Sequence, residues 1–400
     1  MKRILVVSKF RDMVGGVETH IETLVRGLRG RDLDVEIFTA DDLVDLGVPV
    51  FDSGKASNSK LSSVKNLLWN SDARAHFAKA CTKFRPDVIH YHSIYHQLSP
   101  SVLAVSETPS VMTLHDFKLV APCYSLTRDG AYCEKCVTGS VINAVRYKCV
   151  KNSGLASAVC GLETRAFQGR YRNTIDRFIV PSAFSRDRHV RGGLDPASIA
   201  VVPWGVPPAA ERSTSVWKGS RYWIYSGRLH PSKGVLELLD VWSRLRDREG
   251  IQLLVAGDGE LADQISGAAH ADGSIGVLGR VPSDQLSRLV ANAELALVPS
   301  ISPETFGLTA LEALRAGTPI VSTGAGALAD LRGAGVFDGS KAVREWLPLL
   351  QSLVGDPSTV DKARHELETR DLTRFTVEAM VDSITAEYST AIGRRRHPNP

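Results

Sequence analysis

The chain has 400 residues, enough for two or three domains with sizeable hydrophobic cores. Hydrophobic residues make up 43% of it and charged residues 23%, as in ordinary globular proteins, and a formal net charge of +4 does not by itself indicate nucleic-acid binding. No apolar run approaches the length of a membrane span, and Lys9, Arg11 and Asp12 interrupt the apolar N-terminal stretch, which argues against a signal peptide. We therefore expect a cytoplasmic protein that binds no nucleic acid.

Short apolar segments alternate with helical patterns along the whole chain. Continuous apolar runs of this length predict buried strands of parallel sheets that are covered by helices on both faces. The clearest runs are 3–8, 35–40, 87–92, 110–115 and 177–182 in the first half, and 222–227, 252–257, 275–279, 294–299 and 319–323 in the second. Between the two series, 203–219 is rich in proline and small polar residues, which predicts a linker. The fold class is therefore α/β, with two Rossmann-like halves.

The segment 299–319 carries the most specific functional signal. A buried strand is followed by a loop that contains Glu304, and then by a helical pattern with Glu312 in its first turns. A helix N-terminus presents unpaired N–H groups and partial positive charge, which suits a diphosphate. The two carboxylates can accept hydrogen bonds from the hydroxyl groups of a sugar and of a ribose. The alternative is a helix cap on a solvated surface.

This segment resembles the E-x7-E motif of retaining GT-B glycosyltransferases of family 4. The match includes the PS before Glu304, the FGL after it and the continuation EALRAGTPIV. The resemblance implies two Rossmann-like domains that face each other across a cleft, with a nucleotide-sugar donor on the second and the acceptor on the first. It implies an acceptor-side domain at 1–205 with a cysteine-bearing insertion at about 118–160, a donor domain at 206–372, and a terminal helix at 373–400 that crosses back to the first domain and ends in a basic tail.

Two glycine-containing loops extend the resemblance. The stretch from Gly227-Arg228 to Lys233-Gly234 matches the family pattern G-R-x4-K-G, and two cations five residues apart around a turn can converge on one diphosphate. Gly15 and Gly16 follow the first strand and resemble the GG-x-E loop of the family. Without the resemblance, a solvated basic loop and a simple turn would explain both segments. The dinucleotide fingerprint G-x-G-x-x-G is absent after the first strand, which argues against a nicotinamide enzyme.

The resemblance also implies roles for individual residues. Those with catalytic roles are His115, Arg228, Lys233 and Glu304, and His115 would position and polarise the donor sugar. Those that contact the donor are Gly15, Gly16, Gly257, Arg280, Val281, Thr305, Phe306, Gly307, Leu308 and Glu312. Trp204 departs from the family pattern P-N-G-V, which leaves the hydrogen bonding there open. The resemblance implies no catalytic metal ion.

A cluster of cysteines follows the His115-Asp116 pair. Cys123, Cys133, Cys136 and Cys149 lie within 27 residues, and such a cluster in a cytosolic chain favours a metal over disulfides. Four thiolates would form a tetrahedral structural zinc site, and some family members carry a similar insertion; reduced thiols are the alternative. A second cluster, His90, His92 and His96, predicts cleft lining or acceptor contact, with a metal site as the other possibility.

The implied reaction moves a sugar from a nucleoside-diphosphate sugar to an acceptor hydroxyl with retention of anomeric configuration, in cell-envelope glycan, glycolipid or polysaccharide biosynthesis. Two alternatives stay open: a nucleotide-sugar 2-epimerase of GT-B fold and a non-catalytic glycan- or nucleotide-binding module. The basic and partly apolar stretch 55–85 predicts peripheral contact with an anionic membrane at the inner face, where a lipid-linked acceptor would lie. A solvated helix face is the alternative there.

Overall fold

The computed structural model describes residues 1–9, 15–39, 49–52, 66, 68–95, 97–128, 130–212, 217, 221–248 and 250–396. The chain divides into two compact units. Unit 1 comprises Met1–Leu126, Glu134–Gly205 and the chain from Arg374 onward; unit 2 comprises Thr127–Cys133 and Val206–Thr373. Among the described residues, no helix combines the length and the apolar character that crossing a bilayer requires.

Unit 1 is built on a parallel sheet that, in the described residues, has seven strands in the order β3-β2-β1-β4-β5-β8-β9. The strands are β1 (Arg3–Ser8), β2 (Asp34–Thr39), β3 (Val50–Asp52), β4 (Val88–His92), β5 (Ser110–Thr113), β8 (Arg177–Val180) and β9 (Ile199–Val201). The short strands β6 (Thr127–Arg128) and β7 (Ala131–Tyr132) form a separate antiparallel pair, which belongs to the Thr127–Cys133 part of unit 2. The side chains of β1 from Ile4 to Val7 are fully buried, because a central parallel strand has helices on both of its faces.

The helices of unit 1 cover this sheet. They are α1 (Gly16–Arg29), α2 (Ser71–Phe84), α3 (Ile142–Arg146), α4 (Gly154–Thr174) and α5 (Ala183–Arg191). In α1 the residues Ile21, Leu24, Val25 and Leu28 are fully buried, as their helical spacing predicts.

Unit 2 repeats the architecture with a sheet of order β12-β11-β10-β13-β14-β15 within the described residues. Its strands are β10 (Arg221–Ser226), β11 (Ile251–Ala256), β12 (Ile275–Gly279), β13 (Leu295–Val298), β14 (Ile320–Ser322) and β15 (Val336–Asp338). Its helices are α6 (Val235–Ser243), α7 (Ala262–Ala271), α8 (Ser283–Asn292), α9 (Leu308–Arg315), α10 (Leu347–Gly355) and α11 (Pro357–Glu368). A T-shaped contact of Trp223 with Trp242, at 5.7 Å between ring centroids, lies in its core.

The terminal helix α12 (Val377–Arg396) belongs to unit 1 and is fixed there by polar contacts. The Tyr388 hydroxyl lies 2.7 Å from Nδ1 of His90, and Glu387 forms an ion pair with Arg177 at 2.6 Å. A third contact joins Asp382 to Arg31 of the loop after α1 at 2.6 Å. The helix α12 is thereby fixed to unit 1.

Each strand expected from the apolar runs is present, with ends that agree within two residues. The expected parallel pairing of both sheets is also confirmed. The strands that sequence analysis missed in the two large sheets are β3, β9 and β15, which have three residues each and lie at sheet edges. Runs this short are too brief to show a burial pattern distinct from that of a loop.

The strand order of both sheets reverses beside the first strand. In unit 1, β1 lies between β2 and β4, and in unit 2, β10 lies between β11 and β13. Loops that leave the carboxyl ends of strands diverge at such a switch point and open a crevice, which is where parallel α/β sheets bind ligands. The loops after β10 and β13 in unit 2, and after β4 and β5 in unit 1, carry the residues considered next.

Candidate functional site

Two loops of unit 2 are joined through their backbones at the switch point. The carbonyl of Ser232, in the loop after β10, accepts hydrogen bonds from the backbone N–H groups of Ile301 and Ser302, both at 3.0 Å, in the loop after β13. Gly234 makes this approach possible: its φ is +68°, and a Cβ there would lie 2.1 Å from the carbonyl oxygen of Pro299. Gly234, the second glycine of the G-R-x4-K-G pattern, is therefore required for the two loops to pack this closely.

The joined loops bring Lys233 and Glu304 together. Nζ of Lys233 lies 2.5 Å from Oε1 of Glu304, and the Ser300 hydroxyl donates to the same oxygen at 2.6 Å. Burial acts to raise the pKa of Glu304, but the charge and hydrogen bond of Lys233, the Ser300 hydroxyl and the charge of Arg228 together hold this pKa below its usual value. Glu304 is therefore ionised, and the exposed side chain of Arg228 adds a second cation beside it.

The backbone of Glu304 is held from its other side. Its N–H donates to the carbonyl of Ala325 at 3.2 Å, and its carbonyl accepts from the N–H of Ala327 at 2.9 Å. Gly326 lies between these contacts with a φ of +66°, and a Cβ there would lie 2.4 Å from the Glu304 carbonyl oxygen. Sequence analysis missed Ser300 and Gly326; the glycines that flank Ala325 after β14 were the available signal.

The helix α9 begins directly after this loop. Gly307 precedes it with a φ of +90°, and a Cβ at Gly307 would lie 2.5 Å from Cδ2 of Leu328. Gly307 has no side chain to cap the helix, and the first N–H groups of α9 have no carbonyl partner within the helix. Thr305, buried Phe306 and Leu308 belong to the same turn. A helix start of this kind, next to two cations, favours an anion.

Glu312 lies one turn further along α9. Burial raises its pKa to about 7, whereas the pKa of Glu304 is lowered. The two carboxylates of the motif therefore differ in chemistry: one is a fixed anion beside cations, and the other is a weakly acidic group able to accept or donate a hydrogen bond near neutral pH.

Three glycine turns meet at the carboxyl ends of β10, β11 and β12. The N–H of Gly227 donates to the carbonyl of Ala256 at 3.0 Å, and the N–H of Gly257 donates to the carbonyl of Gly279 at 2.8 Å. Gly257 has a φ of +148°, and a Cβ there would lie 1.8 Å from the Gly227 carbonyl oxygen. Exposed Arg280 and half-buried Val281 follow Gly279 at this edge. Gly257, Arg280 and Val281 therefore lie together at this edge of the sheet, and their contact with a donor stays a prediction.

Unit 1 places three histidines together. His20 lies on α1, His92 ends β4 and His115 follows β5, and all three side chains are buried. Nδ1 of His92 lies 2.9 Å from Nε2 of His115, and the His20 ring lies 5.3 Å from the His115 ring between centroids. Trp204 packs on His20 at 4.8 Å between ring centroids. Sequence analysis named His92 and His115 but missed His20, which lies four residues after Gly16.

The three imidazoles are neutral. Burial lowers the pKa of His20 to about 3, and burial and neighbouring imidazoles lower those of His92 and His115 well below the usual value. A neutral ring has one N–H and one lone pair, so the hydrogen-bonded pair His92–His115 leaves one of each on its two outer nitrogens. Those outer nitrogens and both nitrogens of His20 are buried without a hydrogen-bond partner among the described residues. The cluster thus offers two donors and two acceptors.

That pattern matches hydroxyl groups, because a hydroxyl both donates and accepts. A metal ion is the other chemistry to consider, since one ring nitrogen from each histidine lies within 4.8 Å of the others. All three rings could bind it through lone pairs only if the His92–His115 hydrogen bond were lost. The His90 ring lies 4.0 Å from that of His92 between centroids, but both of its nitrogens are engaged, at 2.7 Å from the Tyr388 hydroxyl and 2.8 Å from that of Thr113. His96 lies outside the described residues.

The zinc site predicted from the four clustered cysteines stays a prediction. All six cysteines lie in the described part of the chain as thiols without disulfides. Within the described ranges, the histidine cluster is the one group of three or more His, Cys, Asp or Glu side chains whose ligand atoms converge within 4.8 Å, so Cys123, Cys136 and Cys149 of unit 1 are not gathered to that extent. A zinc site that also includes Cys133 remains a prediction, which metal analysis of the purified protein would test.

The other predicted residues of unit 1 lie near the histidines in sequence. Gly15 is the residue before α1 and Gly16 its first residue, both exposed. Asp116 accepts a hydrogen bond from the backbone N–H of Lys118 at 2.8 Å, so it caps the turn that follows His115. Burial raises the pKa of Asp116 despite that bond.

Substitution of Gly257 by alanine tests the backbone contact between the turns. We expect Gly257→Ala to lower the free energy of unfolding by about 2 to 4 kcal/mol, because the added Cβ collides with a backbone oxygen at a φ that alanine disfavours. Gly267→Ala is the matched control: a Cβ there meets nothing within 4 Å in α7, and a neutral or slightly stabilising effect is expected. Thermal and urea unfolding would measure both, and equal stabilities of the two variants would contradict the prediction.

The raised pKa of Glu312 predicts a dependence of stability on pH. The folded state holds a proton more tightly than the unfolded state, whose carboxyl has a pKa of 4.5, so stability is lost as pH rises from about 4.5 to about 7. Glu312→Gln removes this loss, and it should raise the free energy of unfolding at pH 8 by about 1 to 3 kcal/mol while changing little at pH 4. Urea unfolding at both pH values would measure it; a constant difference would contradict the assignment.

Comparison with known proteins agrees with this geometry. Residues 14–210 match the model of "Glycosyltransferase Family 4", and residues 209–344 match that of "Glycosyl transferases group 1". An uncharacterized glycosyltransferase of Methanocaldococcus jannaschii is 23% identical over 80% of this chain and 79% of its own length. The glycogen synthase of Mycobacterium tuberculosis is 27% identical over 73% of this chain and 71% of its own.

Solved structures share the fold at low sequence identity. Anabaena HepE in complex with UDP and glucose has a TM-score of 0.70 and 17% identity, over 98% of this chain and all of that chain. The sucrose-phosphate synthase of Thermosynechococcus elongatus has a TM-score of 0.72 and 17% identity at the same coverage. Together with the two family models, which span residues 14–344, this likeness shows that the chain is a glycosyltransferase of family 4 with the GT-B fold.

Proposed function

We propose that the protein transfers a hexosyl group from a nucleoside-diphosphate sugar to an acceptor hydroxyl with retention at the anomeric carbon. The observation that carries the proposal is the Lys233–Glu304 pair, fixed at 2.5 Å beside Arg228 and next to the uncapped start of α9. A departing nucleoside diphosphate carries negative charge that has to be stabilised where it develops. Arg228, Lys233 and the first N–H groups of α9 would supply that stabilisation in unit 2.

The parts of the donor have distinct partners in unit 2. The diphosphate would bind Arg228, Lys233 and the first N–H groups of α9, and the base would lie against the backbone edge near Gly279. Glu304 would accept hydrogen bonds from sugar hydroxyls, and Glu312 would contact the ribose. The HepE structures were solved with UDP and with UDP-glucose, which supports a uridine nucleotide as the first donor to test.

Retention is proposed because the resemblance to family 4 implies it, and the groups of unit 1 are compatible with it. The histidines of unit 1 are neutral, so they can orient hydroxyl groups through His20, His92 and His115 but offer no carboxylate nucleophile. A same-face displacement, in which the leaving phosphate oxygen takes the proton of the acceptor hydroxyl, requires no covalent enzyme intermediate. His115 would position the donor sugar for that step.

The acceptor belongs to glycan, glycolipid or polysaccharide biosynthesis in this proposal. Similar proteins include a D-inositol 3-phosphate glycosyltransferase of Segniliparus rotundus, 32% identical over half of this chain, and a lipopolysaccharide 1,2-N-acetylglucosaminetransferase of Salmonella typhimurium, 27% identical over half of it. Their acceptors differ in size and charge, which is why the acceptor has to be found by experiment.

The experiment has two stages. Thermal unfolding with a panel of nucleotide sugars identifies the donor, because a ligand that binds the native state stabilises it by mass action. The product formed with that donor and an acceptor mixture is then analysed by NMR for the configuration of its anomeric carbon. An inverted product would contradict retention. A donor that is epimerised without any acceptor would favour the 2-epimerase, and binding without turnover would favour a non-catalytic module.

The two cations Arg228 and Lys233 give a kinetic prediction. Arg228→Ala and Lys233→Ala should each lower the rate of transfer by roughly 100-fold or more, because each removes a cation that stabilises the leaving diphosphate. Lys341→Ala removes an exposed lysine of unit 2 outside this site and serves as the control. Steady-state rates at saturating donor would measure the effect; unchanged turnover in both site variants would overturn the assignment.

A further inference from the structure

The helix α4 exposes leucines and buries polar residues, the reverse of the usual arrangement. Leu155 is 78% exposed and Leu162 is 57% exposed. They are seven residues apart and therefore lie on one side of the helix, with exposed Ala158 between them. The buried side includes polar residues among its members, which are Ser157, Cys160, Gly161, Glu163, Thr164 and Tyr171. We call the exposed surface formed by Lys151, Leu155, Ala158, Leu162 and Arg165 the α4 face.

A further apolar residue lies near the α4 face. A Cβ at Gly161 would lie 3.7 Å from the carbonyl oxygen of Val141, so the chain that leads into α3 passes directly beside the middle of α4. Ile142, the next residue, is 69% exposed. The three most exposed large hydrophobic residues in the described part of the chain therefore lie on α3 and α4.

The same segment is strongly basic. From 135 to 174 there are seven lysines and arginines and one acidic residue, a formal charge of +6 from 7 − 1. The whole chain has a charge of +4, so the remaining 360 residues together sum to −2. The one acid, Glu163, is buried against Lys118 at 3.0 Å and does not offset these cations at the surface.

Several of these cations are available to a partner. Arg170 lies over the ring of Trp69 and Arg172 donates to the carbonyl of Gly192, so both are engaged. Lys148, Lys151 and Arg165 are exposed, and Lys151 and Arg165 lie at the two ends of the leucine pair. Apolar side chains between cations, with no surface carboxylate, match a surface that is apolar inside and negatively charged outside.

We propose that the α4 face docks onto an anionic phospholipid leaflet, with Leu155, Leu162 and Ile142 entering the headgroup boundary and Lys148, Lys151 and Arg165 binding lipid phosphates. The docking depends on no particular donor or acceptor. It differs from the contact predicted for 55–85. Of that stretch, 55–65 and 67 lie outside the described residues, and the described exposed cations, such as Arg74 and Lys79, lie on α2 or directly after it.

Vesicle sedimentation with the full chain tests the proposal. Vesicles of phosphatidylcholine and phosphatidylglycerol at 7:3 should bind the protein at 20 mM salt, with weaker binding at 500 mM and none to pure phosphatidylcholine, because salt screens the attraction. Leu155→Ser with Leu162→Ser should lower the partition coefficient at least tenfold. Lys148→Glu, Lys151→Glu and Arg165→Glu together should lower it by about 100-fold or more, since each cation near such a surface contributes about fivefold.

Two controls make the result specific. Val201→Ser changes an exposed hydrophobic residue of unit 1 away from α4, and Arg74→Glu with Lys79→Glu reverses charges on α2; both should stay within about twofold of the native protein. Circular dichroism and thermal unfolding verify that every variant is folded.

Three results would overturn the proposal: no binding to anionic vesicles at low salt, loss of binding on the α2 charge reversal but not on the α4 substitutions, or a lipid-free dimer that the leucine substitutions dissociate. The last would make the α4 face an interface between two copies. Because donor binding is measured separately by thermal stabilisation, a failure here leaves the proposed transfer reaction untouched.

Discussion

The ion pair between Lys233 and Glu304 is the interaction on which the site in unit 2 depends. A half-buried carboxylate such as that of Glu304 loses part of its hydration, and a cation and hydrogen bonds have to compensate for that loss. The pair can form only if the loops after β10 and β13 approach within backbone contact, which requires a residue without a side chain at Gly234. Gly326 allows the equally close approach behind Glu304. The ion pair of this site therefore depends on the close loop packing that its glycines allow.

The two units provide different chemistry. Unit 2 has Arg228, Lys233 and an uncapped helix start, all suited to a diphosphate. Unit 1 has an uncharged cluster, because burial keeps His20, His92 and His115 from holding protons near neutral pH. In the proposed reaction, the cations would face the leaving group, whereas hydroxyl groups would meet neutral donors and acceptors whose protonation does not change near neutral pH.

The sequence predicted the fold well because buried parallel strands have a local signature, a run of apolar residues between helices. It predicted less of the site, because a motif specifies residue types but not their partners. The pattern G-R-x4-K-G indicated cations for a diphosphate. Lys233 and Glu304 are 71 residues apart, however, and no local sequence pattern predicts that they pair. His20 was missed for the same reason, since its neighbours in the cluster come from two distant strands. The edge strands β3, β9 and β15 were too short to have a pattern.

The exposed leucines of α4 have a cause within unit 1. Glu163 and Lys118 are each only 2% exposed and lie 3.0 Å apart, and Lys118 also donates to the carbonyl of Cys160 at 3.1 Å. Breaking such a buried pair is costly, so the contact fixes the rotation of α4 about its axis. Lys118 also donates to the hydroxyl of Thr164 at 3.3 Å, so Thr164 faces inward as well. Consecutive helical residues are about 100° apart, so Leu162 lies about 200° from Thr164 and points away from the core, and Leu155, two turns earlier, points the same way. A rotation that hid the leucines would separate the two charges. The buried ion pair therefore keeps the leucines on the outer side of α4, and the surrounding cations favour binding of that side to an anionic surface.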